Sequence, residues 1–230
     1  MLGRAGRGRD RRADRAGARR VSPGGALAVC WYRFWRRIVR LLLRLCGPFR
    51  VSGQEHLPTS GAYLLVANHL SFLDPLLVGS VHHAPIAYLA RANLFDSSLL
   101  RMALTSVGVV PVERGTSDRK ALRAMVDELS GGRSVLLFPE GTRGDGKELG
   151  DFQRGFLLIA RQAGVPIVPV AILGSEGVLP RGAVRPRFGT FRLRFGRPLP
   201  IEVAAAEGAE GIRNRVADLV AALVSERERR

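Results

Sequence analysis

Short apolar runs alternating with amphipathic stretches constrain this chain most. Tyr63–Val66, Ile86–Ala90, Val109–Val112, Ser134–Phe138 and Ile167–Leu173 each have the length and composition of a buried strand. Helical patterns lie between them, from about Pro75 to His82, over Leu99–Ser106, and from a cap at Ser117 or Asp118 to Leu129 before Gly131-Gly132. A further helix, Phe156–Ala163, is closed by Gly164. Strand–helix alternation of this kind predicts an α/β fold, a single domain with a mostly parallel, mixed central sheet flanked by helices. Pro169 is expected to interrupt the Ile167–Leu173 strand. In Thr190–Phe195, Phe191, Leu193 and Phe195 alternate with Arg192 and Arg194, which predicts a strand solvated on one face. Ala209–Ser225 reads as a closing amphipathic helix. At 230 residues the chain can bury one substantial core.

The net charge of +16 is unevenly placed. Residues 1–50 hold 14 Arg and 2 Asp, whereas the remainder holds 22 basic and 18 acidic residues. Residues 1–22 are Arg, Gly, Ala and Asp with almost nothing to bury, and are expected to be disordered. Residues 23–49 change character. Leu27, Trp31, Phe34, Ile38, Leu41 and Leu45 recur at helical spacing, widened by Trp35 and Leu42. Arg33, Arg37, Arg40 and Arg44 are expected on the opposite face, with Arg36 beside them. Such a helix either packs its apolar side on the domain or lies in a membrane interface, with Trp31, Phe34, Trp35, Ile38, Leu41 and Leu42 in contact with lipid. The basic arm beside it adds attraction to an anionic surface and favours the second reading. Gly47-Pro48 ends the helix, and residues 50–230 form the globular domain.

Cys30 and Cys46 fall in one helical pattern, roughly 24 Å apart, so they are expected as free thiols. The first twenty residues carry no apolar signal segment, and no apolar run approaches the roughly 20 residues that span a bilayer. A basic arm also suits nucleic acid. The globular part is only mildly basic, however, and no nucleic-acid-binding motif accompanies it, so no nucleic-acid partner is expected. The high Arg, Ala and Gly content hints at a GC-rich bacterial source.

The candidate chemistry sits at strand ends. His69 and Asp74 follow the Tyr63–Val66 strand and precede Pro75, at the position where open α/β sheets place ligands. A carboxylate bonded to one imidazole nitrogen fixes the tautomer and frees the other nitrogen to take a proton. Taken alone, the pair reads more readily as a surface histidine near an unrelated carboxylate. Arg114 follows the Val109–Val112 strand, and Phe138-Pro139-Glu140-Gly141-Thr142-Arg143 follows the next. Two arginines on the same sheet edge could grip a phosphate dianion; each also reads as a solvated loop arginine. Glu140 is open to two readings, a structural ion pair or a ligand for substrate hydroxyls, and Arg154 could add positive charge. No metal is expected: His82-His83 lacks a third ligand at a recognisable spacing. Gly144-Asp145-Gly146-Lys147 lacks the full phosphate-loop pattern and reads as a plain loop. No Gly-x-Ser-x-Gly elbow supports a lipid hydrolase.

Asn68-His69-x-Ser71-x-x-Asp74, Gly108-x5-Arg114, Phe138 to Arg143, and Val165-Pro166-Ile167-Val168-Pro169-Val170, preceded by Gly53-x-Glu55-x-Leu57-Pro58, resemble the ordered blocks of the glycerolipid acyltransferases. That family includes the bacterial 1-acyl-glycerol-3-phosphate acyltransferases. The resemblance covers roughly residues 50–200, with Arg154 where a lysine is commoner. It implies a glycerol-3-phosphate acyltransferase-like domain over 50–230, with His69 as general base oriented by Asp74. It further implies that Arg114 and Arg143 hold the acceptor phosphate and that Glu140, with Gly141 and Thr142, positions the glycerol backbone. The donor would be acyl-CoA or acyl carrier protein, acting as co-substrate with no cofactor. The acceptor would be lysophosphatidate, acylated at its sn-2 hydroxyl to give phosphatidate, or else another lysolipid or glycerol-3-phosphate. A peripheral enzyme on the cytoplasmic face of the cell membrane, in contact with anionic lipid, is the corresponding expectation.

Overall fold

A computed structural model describes residues 26–91, 109–112, 118–183 and 185–229. The expected basic arm at 1–22, the helix at Leu99–Ser106 and Arg114 lie outside them. The elements are α1 (Ala26–Leu45), β1 (Phe49–Ser52), β2 (Leu64–Ala67), α2 (Asp74–Val81), β3 (Ala87–Arg91), β4 (Val109–Val112) and α3 (Asp118–Ser130). They continue with β5 (Val135–Leu137), α4 (Gly155–Ala163), β6 (Ile167–Leu173), α5 (Ser175–Val178), β7 (Phe191–Phe195) and α6 (Ile201–Glu228).

The seven strands form one sheet in the order β1-β7-β6-β2-β5-β3-β4. Every pair is parallel except β6 with β7. β2 lies near the middle with all four residues buried, which is why its sequence is continuously apolar instead of alternating. Leu65 and Ala67 pack on one face with Leu77, Val78 and Val81 of α2 and Leu43 of α1. Leu64 and Val66 pack on the other with Met125 of α3, Phe156 and Ile159 of α4 and Ile212 of α6. Helices on both faces make three layers.

Three expectations change. Pro169 does not interrupt β6, which is continuous from Ile167 to Leu173. A residue's N–H and C=O point the same way in a strand, and the Pro169 carbonyl accepts from Gly196 N–H at 2.8 Å. The missing donor therefore faces the point where pairing with β7 has run out, and only one ladder bond is forgone. The arginine face of β7 is not solvated: α6 covers it, Arg192 is buried, and Arg194 pairs with Glu226 and donates to Ser52 Oγ at 3.0 Å. The closing helix starts at Ile201, not Ala209, and Gly208 breaks its helical path at φ 70°, ψ −174°.

β2 begins beside a buried polar chain. Tyr63 O–H bonds His82 Nε2 at 2.5 Å, and His82 Nδ1–H donates to the Ala84 carbonyl at 2.6 Å. Burial, reinforced by the nearby His83 and Arg36 charges, lowers the His82 pKa to about 4. The unfolded chain therefore takes up a proton near pH 6.5 that the native state refuses until about pH 4. Stability due to this group is fully present above pH 6.5 and is lost as pH falls toward 4, amounting to about 3 kcal/mol. Urea unfolding of His82→Gln followed from pH 7 to 4.5 should show a flatter decline than the parent chain. Identical slopes would contradict a neutral buried His82.

Candidate active site

The sheet's topology brings the chemistry to one edge. β2, β5 and β6 run parallel and end there, and β7, antiparallel to β6, begins there. His69 follows β2, Phe138 to Arg143 follow β5, and Ser175 follows β6. β4, parallel to β3, ends on the same edge two residues before Arg114.

His69 and Asp74 meet. His69 Nδ1 lies 2.9 Å from Asp74 Oδ2, with Asp74 fully buried and the histidine side chain 20% exposed. Asp74 Oδ2 also accepts from Leu70 N–H at 2.6 Å and Ser71 N–H at 2.8 Å, and Oδ1 accepts from Ser175 Oγ–H at 2.5 Å. The turn closes because Asp74 opens α2, with Pro75 at a position that needs no N–H. A carboxylate held by so many donors cannot rotate away, so the proton on His69 stays on Nδ1 and Nε2 keeps its lone pair. Phe138 stacks on the imidazole with centroids 4.1 Å apart.

Two residues that the sequence left without a role complete the frame. Regular β2–β6 pairing stops at Ala67, beyond which the Ile172 backbone would be orphaned. The buried Asn68 amide serves both groups, donating to the Ile172 carbonyl at 2.9 Å and accepting from its N–H at 2.8 Å. Ser175 reaches Asp74 because Gly174 turns the chain sharply after β6 at φ 92°, where a Cβ would sit 2.0 Å from the Thr190 carbonyl. Asn68 stood in the motif without an assigned task. Ser175 carried no signal, since its partner is 101 residues away.

Glu140 forms no ion pair among the described residues and has a backbone task that the sequence did not suggest. Its Oε1 accepts from His69 N–H at 2.8 Å and its Oε2 from Gly150 N–H at 3.1 Å. Both oxygens thus brace the backbone, and the His69 carbonyl accepts in return from Gly144 N–H at 2.8 Å. Gly141, at φ 68°, closes the turn by donating to the Phe138 carbonyl at 3.2 Å, and Gly141 and Thr142 are exposed beside it. Arg143 lies 3.8 Å over the ring of Phe72. One of its terminal nitrogens is buried with no hydrogen-bond partner among the described residues. The residue as a whole is half-buried, and a guanidinium carries five donors, in a fork that suits an anion. Arg154 is exposed at the start of α4, next to Gln153, whose N–H bonds the Pro139 carbonyl at 3.0 Å.

α1 carries three faces where the sequence distinguished two. It packs through Tyr32, Arg36, Val39 and Leu43: Tyr32 O–H donates to the carbonyls of Gly79 and Ala84, each at 3.1 Å, and Arg36 donates to the His82 carbonyl at 2.5 Å. The apolar stripe is turned about 130° from that seam. Trp31, Phe34, Leu41 and Leu42 are exposed, as is Leu45 at 69%, while Trp35 and Ile38 are half-buried. Among the described residues no helix is long and apolar enough to cross a membrane.

Comparison with known proteins finds relatives of the chain. A family model described as Acyltransferase matches residues 48–173. A chloroplastic 1-acyl-sn-glycerol-3-phosphate acyltransferase of Brassica napus is 33% identical over 136 residues, 58% of this chain and 39% of that one. A lyso-ornithine lipid O-acyltransferase of Pseudomonas aeruginosa is 34% identical over 134 residues, 57% of this chain and 51% of that one. The matches to these two curated relatives thus span about two-fifths and about half of their length. The crystal structure of the 1-acyl-sn-glycerophosphate acyltransferase from Thermotoga maritima superposes with a TM-score of 0.71 at 27% identity, covering 89% of this chain and 80% of that one.

Proposed function

The chain belongs to the acyltransferase family, and from that premise we propose that it moves a fatty acyl group from a thioester, acyl-CoA or acyl carrier protein, to the sn-2 hydroxyl of lysophosphatidate. The observation that carries this reading is the His69–Asp74 pair, whose Nε2 has no partner among the described residues, on the same sheet edge as the half-buried Arg143. His69 Nε2 takes the acceptor's hydroxyl proton as that oxygen bonds to the thioester carbonyl carbon. The tetrahedral intermediate collapses, the C–S bond breaks, and the imidazolium returns its proton to the departing thiolate. Asp74 stabilises the imidazolium while it lasts. No covalent acyl-enzyme is formed. The acceptor phosphate docks on Arg143, with Arg114 and Arg154 adding positive charge, and Glu140 keeps the His69 backbone fixed while substrates pass.

The exposed stripe of α1 holds the enzyme peripherally on the cytoplasmic face of the cell membrane, where acceptor and product reside. A phosphate-free acceptor is the second reading, favoured by the likeness to the lyso-ornithine lipid enzyme. Arg143→Ala separates them. Losing a charge-assisted hydrogen bond, worth about 1.5–3 kcal/mol, should lower kcat/KM for lysophosphatidate by about 10- to 100-fold and leave a phosphate-free acceptor unaffected. Equal turnover of lysophosphatidate by the variant and the parent would remove Arg143 from phosphate binding. A panel of acceptors with labelled donor tests the assignment itself: turnover of another lysolipid with none on lysophosphatidate would replace it.

A further inference from the structure

The connection between α5 and β7 has no part in the reaction above, yet its composition and position are unusual. It carries Arg181, Arg185, Arg187 and Phe188, all exposed, and no acidic residue from Leu179 to Arg192. Phe188, at 79%, is more exposed than any other large hydrophobic side chain among the described residues. Arg187 N–H donates to the Val178 carbonyl at 2.7 Å, so the backbone beside Phe188 is held against the domain while its ring stands in water among cations.

Backbone bonds fasten the connection at both ends. At one end, the Leu179 carbonyl accepts from Ser71 Oγ at 2.9 Å, beside the exposed Phe72. At the other, Gly189 N–H donates to the Cys46 carbonyl at 2.9 Å, one residue beyond the exposed Leu45. The fit there is close: a Cβ on Gly47 would meet the Gly189 carbonyl oxygen at 1.7 Å. The connection therefore bridges the mouth of the site and the end of α1. Because β1 and β7 begin on the edge where β2 ends, α1 finishes on that edge too.

We propose that the Arg181–Phe188 connection is a second membrane-contact element, inserting Phe188 into the interface of an anionic bilayer while its three arginines meet lipid phosphates. The inference rests on the membrane reading given under Proposed function and extends it. Two apolar contacts, the α1 stripe and Phe188, fix an orientation that one helix alone leaves free to roll, and that orientation turns the His69 edge toward the lipid. An acidic carrier protein could also suit three arginines. The solvent-facing phenylalanine, next to the Gly189–Cys46 bond at the end of α1, favours the bilayer.

Flotation of the full chain with phosphatidylglycerol-containing and pure phosphatidylcholine vesicles tests this, with circular dichroism as a folding control. Phe188→Ala should bind the anionic vesicles at least about ten-fold more weakly. Replacing Arg181, Arg185 and Arg187 by Gln should cost about five-fold for each charge removed on anionic vesicles, with little effect on neutral ones. All variants should turn over a monomeric short-chain acceptor at the parent rate. Undiminished flotation of the variants while the parent floats would overturn the second contact and leave the α1 reading standing. Undiminished flotation with a raised KM for an acyl carrier protein donor would make the loop a donor-docking site and likewise overturn it. A parent chain that floats with neither vesicle would bring down both readings.

Discussion

Replacing His69 by alanine should lower turnover by about 10² to 10⁴ without unfolding the protein. The imidazole is partly exposed, and Asp74 would still accept from Leu70, Ser71 and Ser175. What disappears is the base beside the acceptor hydroxyl. Substrate positioning, which can supply about 7–11 kcal/mol of the barrier reduction on its own, survives because Arg143 and the α1 stripe are untouched. KM for the acceptor should therefore change little while kcat falls. A His69→Ala variant that retains parental kcat would remove His69 as the base.

Asp74→Ala should act on two levels. It strands the Leu70 and Ser71 N–H groups and the Ser175 hydroxyl in a buried turn. Each stranded group costs about 1–3 kcal/mol, so a stability loss of about 3–5 kcal/mol is expected. Against a typical total of about 5–15 kcal/mol, this threatens the fold itself. Asp74→Asn distinguishes structure from chemistry. Its carbonyl oxygen can accept from the two N–H groups and from His69 Nδ1–H, and its amide can donate to Ser175 Oγ, which accepts as readily as it donates. That variant should keep most of the stability lost by Asp74→Ala. Without the negative charge that stabilises the imidazolium, however, its kcat should fall by about 10² to 10⁴. Denaturant unfolding set beside steady-state rates checks both. A fully active Asp74→Asn would limit Asp74 to holding the turn.

Sequence carried most of the strands, though not β1, and the loop in which His69 meets Asp74, for a physical reason. Strands covered on both faces must be continuously apolar, and the segments that follow them are free to be polar, so Ala62–Ala67 and the loop from His69 to Asp74 stand apart in composition. The residues that escaped notice depend on register between distant segments. Asn68 matters because pairing between β2 and β6 ends one residue before it. Ser175 matters because Gly174 turns it toward a carboxylate in another part of the chain. The bracing role of Glu140 is hidden because a loop carboxylate next to an arginine carries no sign of which backbone N–H groups it will meet. In α1 the docking seam runs through Tyr32 and Arg36, which periodicity discounts beside the stronger stripe of Trp31, Phe34 and Leu41. Pro169 leaves β6 continuous because its missing donor matters only where a neighbouring strand is there to accept.

The most direct test follows labelled acyl-CoA and acyl carrier protein with lysophosphatidate in anionic vesicles through a single turnover of the parent chain and of His69→Ala. The account predicts labelled phosphatidate appearing in step with free thiol, no label on protein at any time, and both products forming about 10²- to 10⁴-fold more slowly in the variant. Label trapped on the protein, or thiol released with free fatty acid in place of phosphatidate, would contradict direct transfer to the lipid hydroxyl.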